Sequence, residues 1–455
     1  MSKLKIPVQT VQSGILQENA VMLGDRLIKK LKIPAHGPLL LAYGSFRQEV
    51  TVIPVPKSDS LRVSDALARR TGWSGRRLLN ASFSSKSRTL RLGPLIGVLV
   101  SRENPDRPDR LFGSITQFCL ELTNACQAQG AFVYFFTPGA LEGANSTISG
   151  WVYDGGWKKL RLPVADVVNN RLTTRKAENK TSVQHFLSEV KSRYGTHFFN
   201  EKFLDKNEVF DALRKDPSIQ RYLPESHLLS GYAILQKMCA RYPVVFLKPV
   251  RGSLGKGILR ISRDEGGGYK LHSATPLGTR KVSYPSLNKL FQAISPKLKT
   301  ARFQIQQGLP LMESGRRPVD FRALVQKNGT GKWSVTSIVA RTAGNHHFVS
   351  NLARGGSLST VREAVGKSSL PPGAKENANV QLPRAALAVA KSVEANIPAH
   401  FGELGIDLGL DQSGRIWLLE VNSKPSKNDN TPLSGVKIRP SVKQMVQYCR
   451  YLAGL

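Results

Sequence analysis

Between Gly402 and Pro425 the chain reads GELGIDLGLDQSGRIWLLEVNSKP. DQSG is turn chemistry: Asp and Ser bond their own backbone, and Gly accepts left-handed φ. Two strands therefore fold back on each other. Counting by twos along the returning strand puts Ile416, Leu418, Glu420 and Asn422 on one face. Trp417, Leu419 and Val421 take the other. Both faces are then largely apolar, so the hairpin must be covered on both sides. Asp407, Glu420 and Asn422 enter a low-dielectric place where an uncompensated carboxylate is costly. Hard oxygen donors converging there suit Mg²⁺, above all when ligand phosphates complete the octahedron. A solvated edge hairpin, the alternative, accords poorly with the leucines and the tryptophan.

A hairpin buried on both faces needs a large surrounding fold, and 455 residues supply roughly two to four cores. No stretch approaches the roughly 18 apolar residues that span a bilayer, and MSKLKIPVQT lacks a secretory apolar region. Cys119, Cys126, Cys239 and Cys449 have neither CxxC nor paired zinc spacing, and read as reduced thiols of a protein made in a cytoplasm. Lys and Arg number 66 against 32 Asp and Glu, a formal charge of +34. That excess implies attraction to a polyanion or, in the alternative, a generally basic surface. No aromatic-and-basic strand motif accompanies it, so nucleic acid is not the expected partner.

The first ninety or so residues hold an internal repeat. D-x-L-x-basic-basic occurs at Asp25, Leu27, Lys29, Lys30 and again at Asp65, Leu67, Arg69, Arg70. Each copy predicts a short helix, a turn and a strand, and two such units interlock because neither buries its apolar face alone. The arrangement resembles a small duplicated β-barrel of the double-psi type; an ordinary β-rich domain is the alternative. From Leu92, PLIGVLV, FGSITQFCLELTNACQAQGA and AFVYFFTP alternate strand, helix and strand, which argues for a parallel α/β layer. A helix-rich connector follows, and the remainder reads as α+β. The expected class is a multidomain α/β and α+β protein: a β-rich module (1–91), an α/β domain (92–200) and a ligand-binding domain (201–455).

In YPVVFLKPVRGSLGKGILRIS the buried strand VVFL ends at Lys248, on the face of Val244 and Phe246. Glycines 252, 255 and 257 follow, then a second strand. A Walker loop or a dinucleotide fingerprint would open a helix; here strand follows loop, so the glycines form a flap in a hairpin. Their N–H groups can cradle phosphate oxygens, although a plain glycine hairpin reads alike. A lysine directed along an apolar strand needs an anionic partner. FQIQQGLPL is a strand ending in a loop, and PVDFRALVQKNGTGKWSVTSIVART is a hairpin turning at NGTG. Asp320 and Arg322 share a face there, and Arg341 ends the second strand. Asn351 and Arg354 come next. His346 and His347 are adjacent, would face apart and are not expected to share a metal.

This order of lysine strand, glycine flap, hinge strand, charged hairpin and D…E-x-N resembles the ATP-grasp superfamily. FLKPVRGSLGKGI, RTAGNHHFVSNLARGG, GIDLGLDQSGRIWLLEVNSKP and the upstream PVADVVNNRL…RKAENK are similar to its endospore coat-associated YheC/YheD-type family. The resemblance covers Leu92 to the C-terminus. It implies a pre-ATP-grasp α/β domain before an ATP-grasp domain. It also implies an ATP-dependent carboxylate–amine (or thiol) ligase acting through an acylphosphate. Lys206 and Lys248 would face the phosphates. The flap would be Arg251 to Gly257, with Gly252, Ser253 and Gly255. Gln306 to Leu309, with Gln306, Gln307 and Leu309 as the contact residues, would supply the adenine hinge through backbone groups, with Gln-Gln where many relatives have a glutamate. Arg322 and Arg341 would face the γ-phosphate or the reacting carboxylate. Asp407, Glu420 and Asn422 would hold Mg²⁺, with Mn²⁺ the alternative ion. The implied partners are ATP, an unidentified carboxylate and amine, an acidic peptide or polymer, and spore-coat proteins, with association to the coat after cytoplasmic synthesis. The competing reading is a silent structural coat protein that keeps the fold.

Overall fold

The computed structural model describes residues 3–12, 14–34, 37–141, 146–251, 256–275, 278–344, 356–427 and 438–455. Its first seven strands close into a barrel, in the order Lys3–Val11, Leu61–Ser64, Ala20–Gly24, Phe46–Val55, Leu39–Tyr43, Thr89–Gly93, Arg76–Ser84. The sequence repeat is a structural one. Strand Ala20–Gly24 runs into helix Asp25–Leu31, and strand Leu61–Ser64 into helix Asp65–Thr71. Leu27 and Leu67 are buried at matching places, and each basic pair lies in a last turn, where the helix dipole favours cations. The two strands pair antiparallel through Val21 and Val63. Each also takes a parallel neighbour, Phe46–Val55 for the first and Lys3–Val11 for the second, so the two units interlock.

A second sheet has the order Trp157–Pro163, Thr147–Tyr153, Phe132–Phe136, Leu95–Leu99, Val167–Asn170, His197–Phe199. Its last four strands are parallel, with an antiparallel hairpin at the other edge. Helix Thr116–Gln129 covers it together with the C-terminal helix Pro440–Ala453. Tyr43 of the barrel meets Trp73 edge-on at 4.9 Å and Phe132 of this sheet at 6.5 Å, so barrel and sheet share one core.

Two antiparallel sheets complete the chain. The flap sheet has the order Ser226–Leu228, Phe303–Gln307, Val244–Pro249, Leu259–Arg263, Tyr269–Thr275, Gly278–Tyr284. Val245, Leu247, Leu259, Ile261, Leu271, Phe303 and Ile305 pack on helices Tyr232–Arg241 and Leu287–Thr300, which leaves the other face open. The acidic sheet runs Ser357–Ser359, Trp333–Thr342, Arg317–Lys327, Glu403–Leu410, Ile416–Asn422. Helix Pro372–Asn396 backs it.

One expectation needs correction. Asp407 pairs with Glu420 but Leu408 pairs with Leu418, so the returning strand carries an extra residue at Leu419. A bulge shifts the two-residue alternation by one. Ile416, Leu418 and Val421 all point into the core. Glu420 and Asn422 stay together but on the opposite face from Ile416 and Leu418. Among the described residues no helix is long and apolar enough to cross a membrane. The four cysteines are buried and free.

Candidate functional site

The acidic sheet builds its open face from direct cross-strand partners: Asp320 opposite Arg341, Arg322 opposite Asp407, Asp407 opposite Glu420. Arg341 grips Asp320 through Nε (2.6 Å) and Nη2 (2.9 Å), and its Nη2 also lies 3.1 Å from Asp407 Oδ2. Arg322 donates to both oxygens of Asp407, Nη2 at 2.9 Å from Oδ2. Burial alone would raise the Asp407 pKa, but Arg322 and Arg341 outweigh it and hold it at about 2. Burial would likewise lower Arg341, and Asp320 and Asp407 push it up instead. Gly405 lets Pro425 pack close: a Cβ there would come within 3.0 Å of the Pro425 side chain, while meeting Arg322 at an ordinary 3.6 Å.

Glu420 is more open, its side chain 29% exposed, and it accepts from Lys206 Nζ at 3.0 Å. Lys206 is the first residue of helix Lys206–Leu213, whose N-cap Asp205 accepts from the amides of Asn207 (2.9 Å) and Glu208 (3.4 Å). Asn422 lies beside Glu420 and opposite Gly405.

Lys248 comes from the flap sheet and donates to Gln306 Oε1. Burial pulls its pKa down to about 8; Glu420 opposes that, Lys206 adds to it, and Asp407 and Asp320 also oppose it. The lysine of one sheet thus feels the carboxylates of the other. Gln306 Nε2 and Gln304 Oε1 are buried on the same face without a hydrogen-bond partner, an arrangement natural structures keep for a reason. The amides of Gln307 and Gly308 bond into the sheet, to Glu225 O (2.8 Å) and Val244 O (2.8 Å), and Leu309 O accepts from Leu311 N (2.9 Å). Arg251 is exposed and stands 3.8 Å from Asp205. Gly257 has φ +73°, a conformation that favours glycine. Gly252, Ser253, Gly255, His346, His347, Asn351 and Arg354 lie outside the described residues.

Asp320, seen in the sequence only as a neighbour of Arg322, is the anchor of Arg341. A second charged group was not foreseen. Lys424 pairs with Glu178, which also accepts from Asn170 Nδ2 (3.1 Å) and Phe203 N (2.9 Å). Arg175 clamps the carbonyls of Phe203 (3.0 Å) and Leu204 (2.7 Å). These residues tie the segment after Asn422 to the end of strand Val167–Asn170. The residue types were visible, Lys424 two residues after Asn422 and Glu178 in the charged run RKAENK, but their pairing was not.

A lysine strand, a glycine hairpin and a hinge strand in one sheet, facing an acidic terminal hairpin in another, define the ATP-grasp class. Within it, residues 195–452 match the model of the YheC/D like ATP-grasp family. The chain belongs to that family. It is 30% identical over 346 residues to endospore coat-associated protein YheD of Bacillus subtilis (strain 168), covering 75% of this chain and 74% of that protein. YheC of the same organism, also endospore coat-associated, is 23% identical over 340 residues, 73% of this chain and 90% of that one. Among solved structures, the D-alanine-D-alanine ligase from Coxiella burnetii aligns at 12% identity and TM-score 0.45, over 80% of this chain and 94% of that one.

Proposed function

We propose that this chain is an ATP-dependent carboxylate–amine ligase that works through an acylphosphate, with a thiol acceptor as the variant. One observation carries the reading: Lys248 and the half-satisfied Gln306 of the flap sheet share an electrostatic neighbourhood with the charged array of the acidic sheet. Phosphoryl transfer asks a protein mainly for positioning and charge neutralisation. Lys248 and Lys206 meet the phosphates. Gln306 offers its unused N–H to the nucleotide. The flap from Arg251 to Gly257 covers the phosphates, and Gln307 and Leu309 border the adenine. Arg322 and Arg341, held in place by Asp407 and Asp320, steady the reacting carboxylate or the γ-phosphate.

The donor set fits Mg²⁺ through Glu420, a half-open carboxylate, with Asn422 beside it. Asp407 opposite keeps its three arginine contacts and has about one acceptor position left to add, and Mg²⁺ takes one or two carboxylates plus phosphate oxygens. When bound, the ion neutralises charge on the transferred phosphoryl group. Mn²⁺ accepts the same hard oxygens. Until then Lys206 and the two arginines balance the carboxylates. We further propose the division 1–91, 92–200 and 201–455 along the chain, the first two parts sharing one core and helix Pro440–Ala453 of the third returning to the sheet of the second. In this proposal the barrel stands outside the chemistry, an acidic peptide or polymer is the substrate, and the protein associates with the spore coat.

Incubation with amino acids and acidic peptides, followed by ADP and product-mass measurement, tests the proposal. ADP formed with a mass increase equal to condensation supports it. Nucleotide-induced stabilisation without turnover on any substrate would favour the silent coat protein, and the absence of both responses would remove the nucleotide reading.

A further inference from the structure

The open face of the flap sheet continues past the nucleotide lysine. Gln306, Phe246, Arg260, His272 and Lys281 are successive direct cross-strand partners, one from each of five neighbouring strands. At about 4.8 Å per strand, Arg260 lies one strand beyond Phe246 and Lys281 three, some 14 Å away. Leu271 and Ile261 point to the helices behind the sheet, so Arg260 and His272 face the same side as Lys248.

Beyond Phe246, the part of the row made by Arg260, His272 and Lys281 has only donors left for a ligand. Arg260 Nη1 lies 3.0 Å from His272 Nδ1. A guanidinium can only donate, so Nδ1 accepts and the imidazole proton sits on Nε2. Burial first, then Arg260, Lys281 and Lys270, pull the His272 pKa down to about 4, so the ring is neutral near pH 7 with Nε2–H as its one donor. The residue is 7% exposed, set between its cross-strand partners Arg260 and Lys281. Burial also lowers Arg260, with no carboxylate offsetting it. Among the described residues no Asp or Glu pairs with Arg260, His272 or Lys281. Neighbouring cations differ: Lys270 has Asp264 at 2.6 Å, Arg241 has Glu225 at 2.7 Å, and Arg263 caps the carbonyls of Cys239 (2.8 Å) and Ala240 (3.1 Å). A half-buried guanidinium without an anion is costly in a merely structural sheet.

We propose that Arg260, His272 and Lys281 form a binding row for the side-chain carboxylates of an acidic peptide, holding the substrate beside the nucleotide. The inference rests on the ligase reading and names its substrate class. Peptide is preferred to nucleic acid because the aromatic residues of the two outer strands, Tyr269 and Tyr284, pack against the helices behind the sheet. The outer part of the row therefore lacks a stacking platform for bases.

Anisotropy of a fluorescein-labelled oligoglutamate, with full-length protein at low and physiological ionic strength, tests it. Arg260→Gln/Lys281→Gln should weaken binding about tenfold or more, roughly 1.4 kcal/mol. Lys297→Gln/Lys299→Gln, an equal charge loss on the helix behind the sheet, should change it by about twofold at most. Lys281→Gln alone, at an exposed edge position, should act in the same direction and keeps the test usable should the double variant fold poorly. Equal losses in both double variants would mean general charge and overturn the proposal, as would no binding by the wild type. Preferential, row-dependent binding of a single-stranded oligonucleotide of matched charge would overturn it too. Thermal shifts with ATP·Mg²⁺ on the same proteins keep the two readings apart. A wild type without a shift would remove the ligase assignment, while the row stands or falls on anisotropy alone.

Discussion

Glu403 and Asp407 stand four residues apart on one face of strand Glu403–Leu410, each buried and each between two cations. Glu403 takes Arg171 Nη1 (2.9 Å), Lys427, Gln326 Nε2 (3.2 Å) and Asn200 Nδ2 (3.4 Å). Burial would raise its pKa, but Lys427 and Arg171 bring it below the ordinary range. Arg171 gives Nη2 to Pro425 O at 2.8 Å, Gln326 Nε2 also donates to Ser441 O (3.0 Å) and Asn200 Nδ2 to Asn169 Oδ1 (3.4 Å), so every branch closes on a buried protein group. Asp407 has fewer donors, and its line leads on to Glu420 and Lys248. A buried ion pair by itself is therefore no sign of chemistry. What separates the two ends of this strand is whether the network terminates in closed structure or continues to the half-open Glu420 and, through Lys248, to Gln306 with its unmet hydrogen-bonding capacity.

The sharpest way to break this contrast is Glu403→Ala beside Asp407→Ala. Removing Glu403 leaves Arg171 and Lys427 buried without an anion, and breaking such a pair costs about 3–5 kcal/mol. Denaturant melts should show that loss, with the ATP·Mg²⁺-induced shift preserved. Asp407→Ala should lower stability and also abolish most of the shift. Equal effects on the shift would show that the two ends do not differ in function.

Glu420→Gln probes the open end of the line. Lys206 and Glu420 are only partly buried, so the apo protein should lose about 1 kcal/mol or less. A hundredfold loss of ATP·Mg²⁺ affinity would remove roughly 2.7 kcal/mol of ligand protection at saturation. A sharp apo loss with an unchanged nucleotide shift would make Glu420 a structural residue.

The order of strands and the flap hairpin were legible because periodicity and turn chemistry are local. The bulge at Leu419 was not, since one extra residue in an apolar strand leaves no mark in composition. It misassigned the companions of Glu420 but spared the Glu420–Asn422 pair, because both residues follow it. Asp407, Arg322 and Arg341 were singled out one by one; their mutual neutralisation required knowing which strands are neighbours. Arg171 and Glu403 are 232 residues apart and Lys424 and Glu178 are 246, distances over which a single sequence carries no pairing signal. The row from Arg260 to Lys281 was missed for the same reason, because each residue alone is an ordinary polar position on a strand.

Lys248 sharpens the comparison through pH. Its pKa in the fold is about 8, below the ordinary lysine value of about 10.4, so it is charged below pH 8 and loses its proton above. In the proposed function, phosphate binding draws on that charge. The ATP·Mg²⁺ shift should be full near pH 7 and weaken above pH 8, by up to about tenfold in affinity, or 1.4 kcal/mol, per pH unit. The depressed lysine itself is a cost present below pH 8 and relieved toward pH 10, as for Lys424 and Lys427, also near 8. The nucleotide-induced difference, not the absolute melting point, is therefore the readout. In Lys248→Arg the guanidinium stays charged, and any remaining shift should be flat from pH 8 to about 9.5. A wild-type shift equally flat would place Lys248 outside the nucleotide contact.

The smallest effect is expected at Asp205, where structure and site meet in one side chain. Its Oδ1 caps the helix that begins at Lys206, while its other oxygen lies 3.8 Å from the largely exposed Arg251. Loss of an N-cap costs about 1 kcal/mol, and an exposed ion pair contributes between about 0 and 1. Asp205→Ala should therefore lower stability by about 1 kcal/mol. It should also weaken the ATP·Mg²⁺ shift slightly, because the fraying turn carries Lys206 away from Glu420. Asparagine caps as well as aspartate but lacks the charge. If the cap is what positions Lys206, Asp205→Asn restores both stability and shift to nearly the wild-type values. If instead the flap depends on the tie to Arg251, the asparagine variant recovers stability while its nucleotide shift stays as low as that of alanine. Calorimetric melts of the three proteins, with and without ATP·Mg²⁺, decide between a helix end that serves the site through geometry and one that serves it through charge.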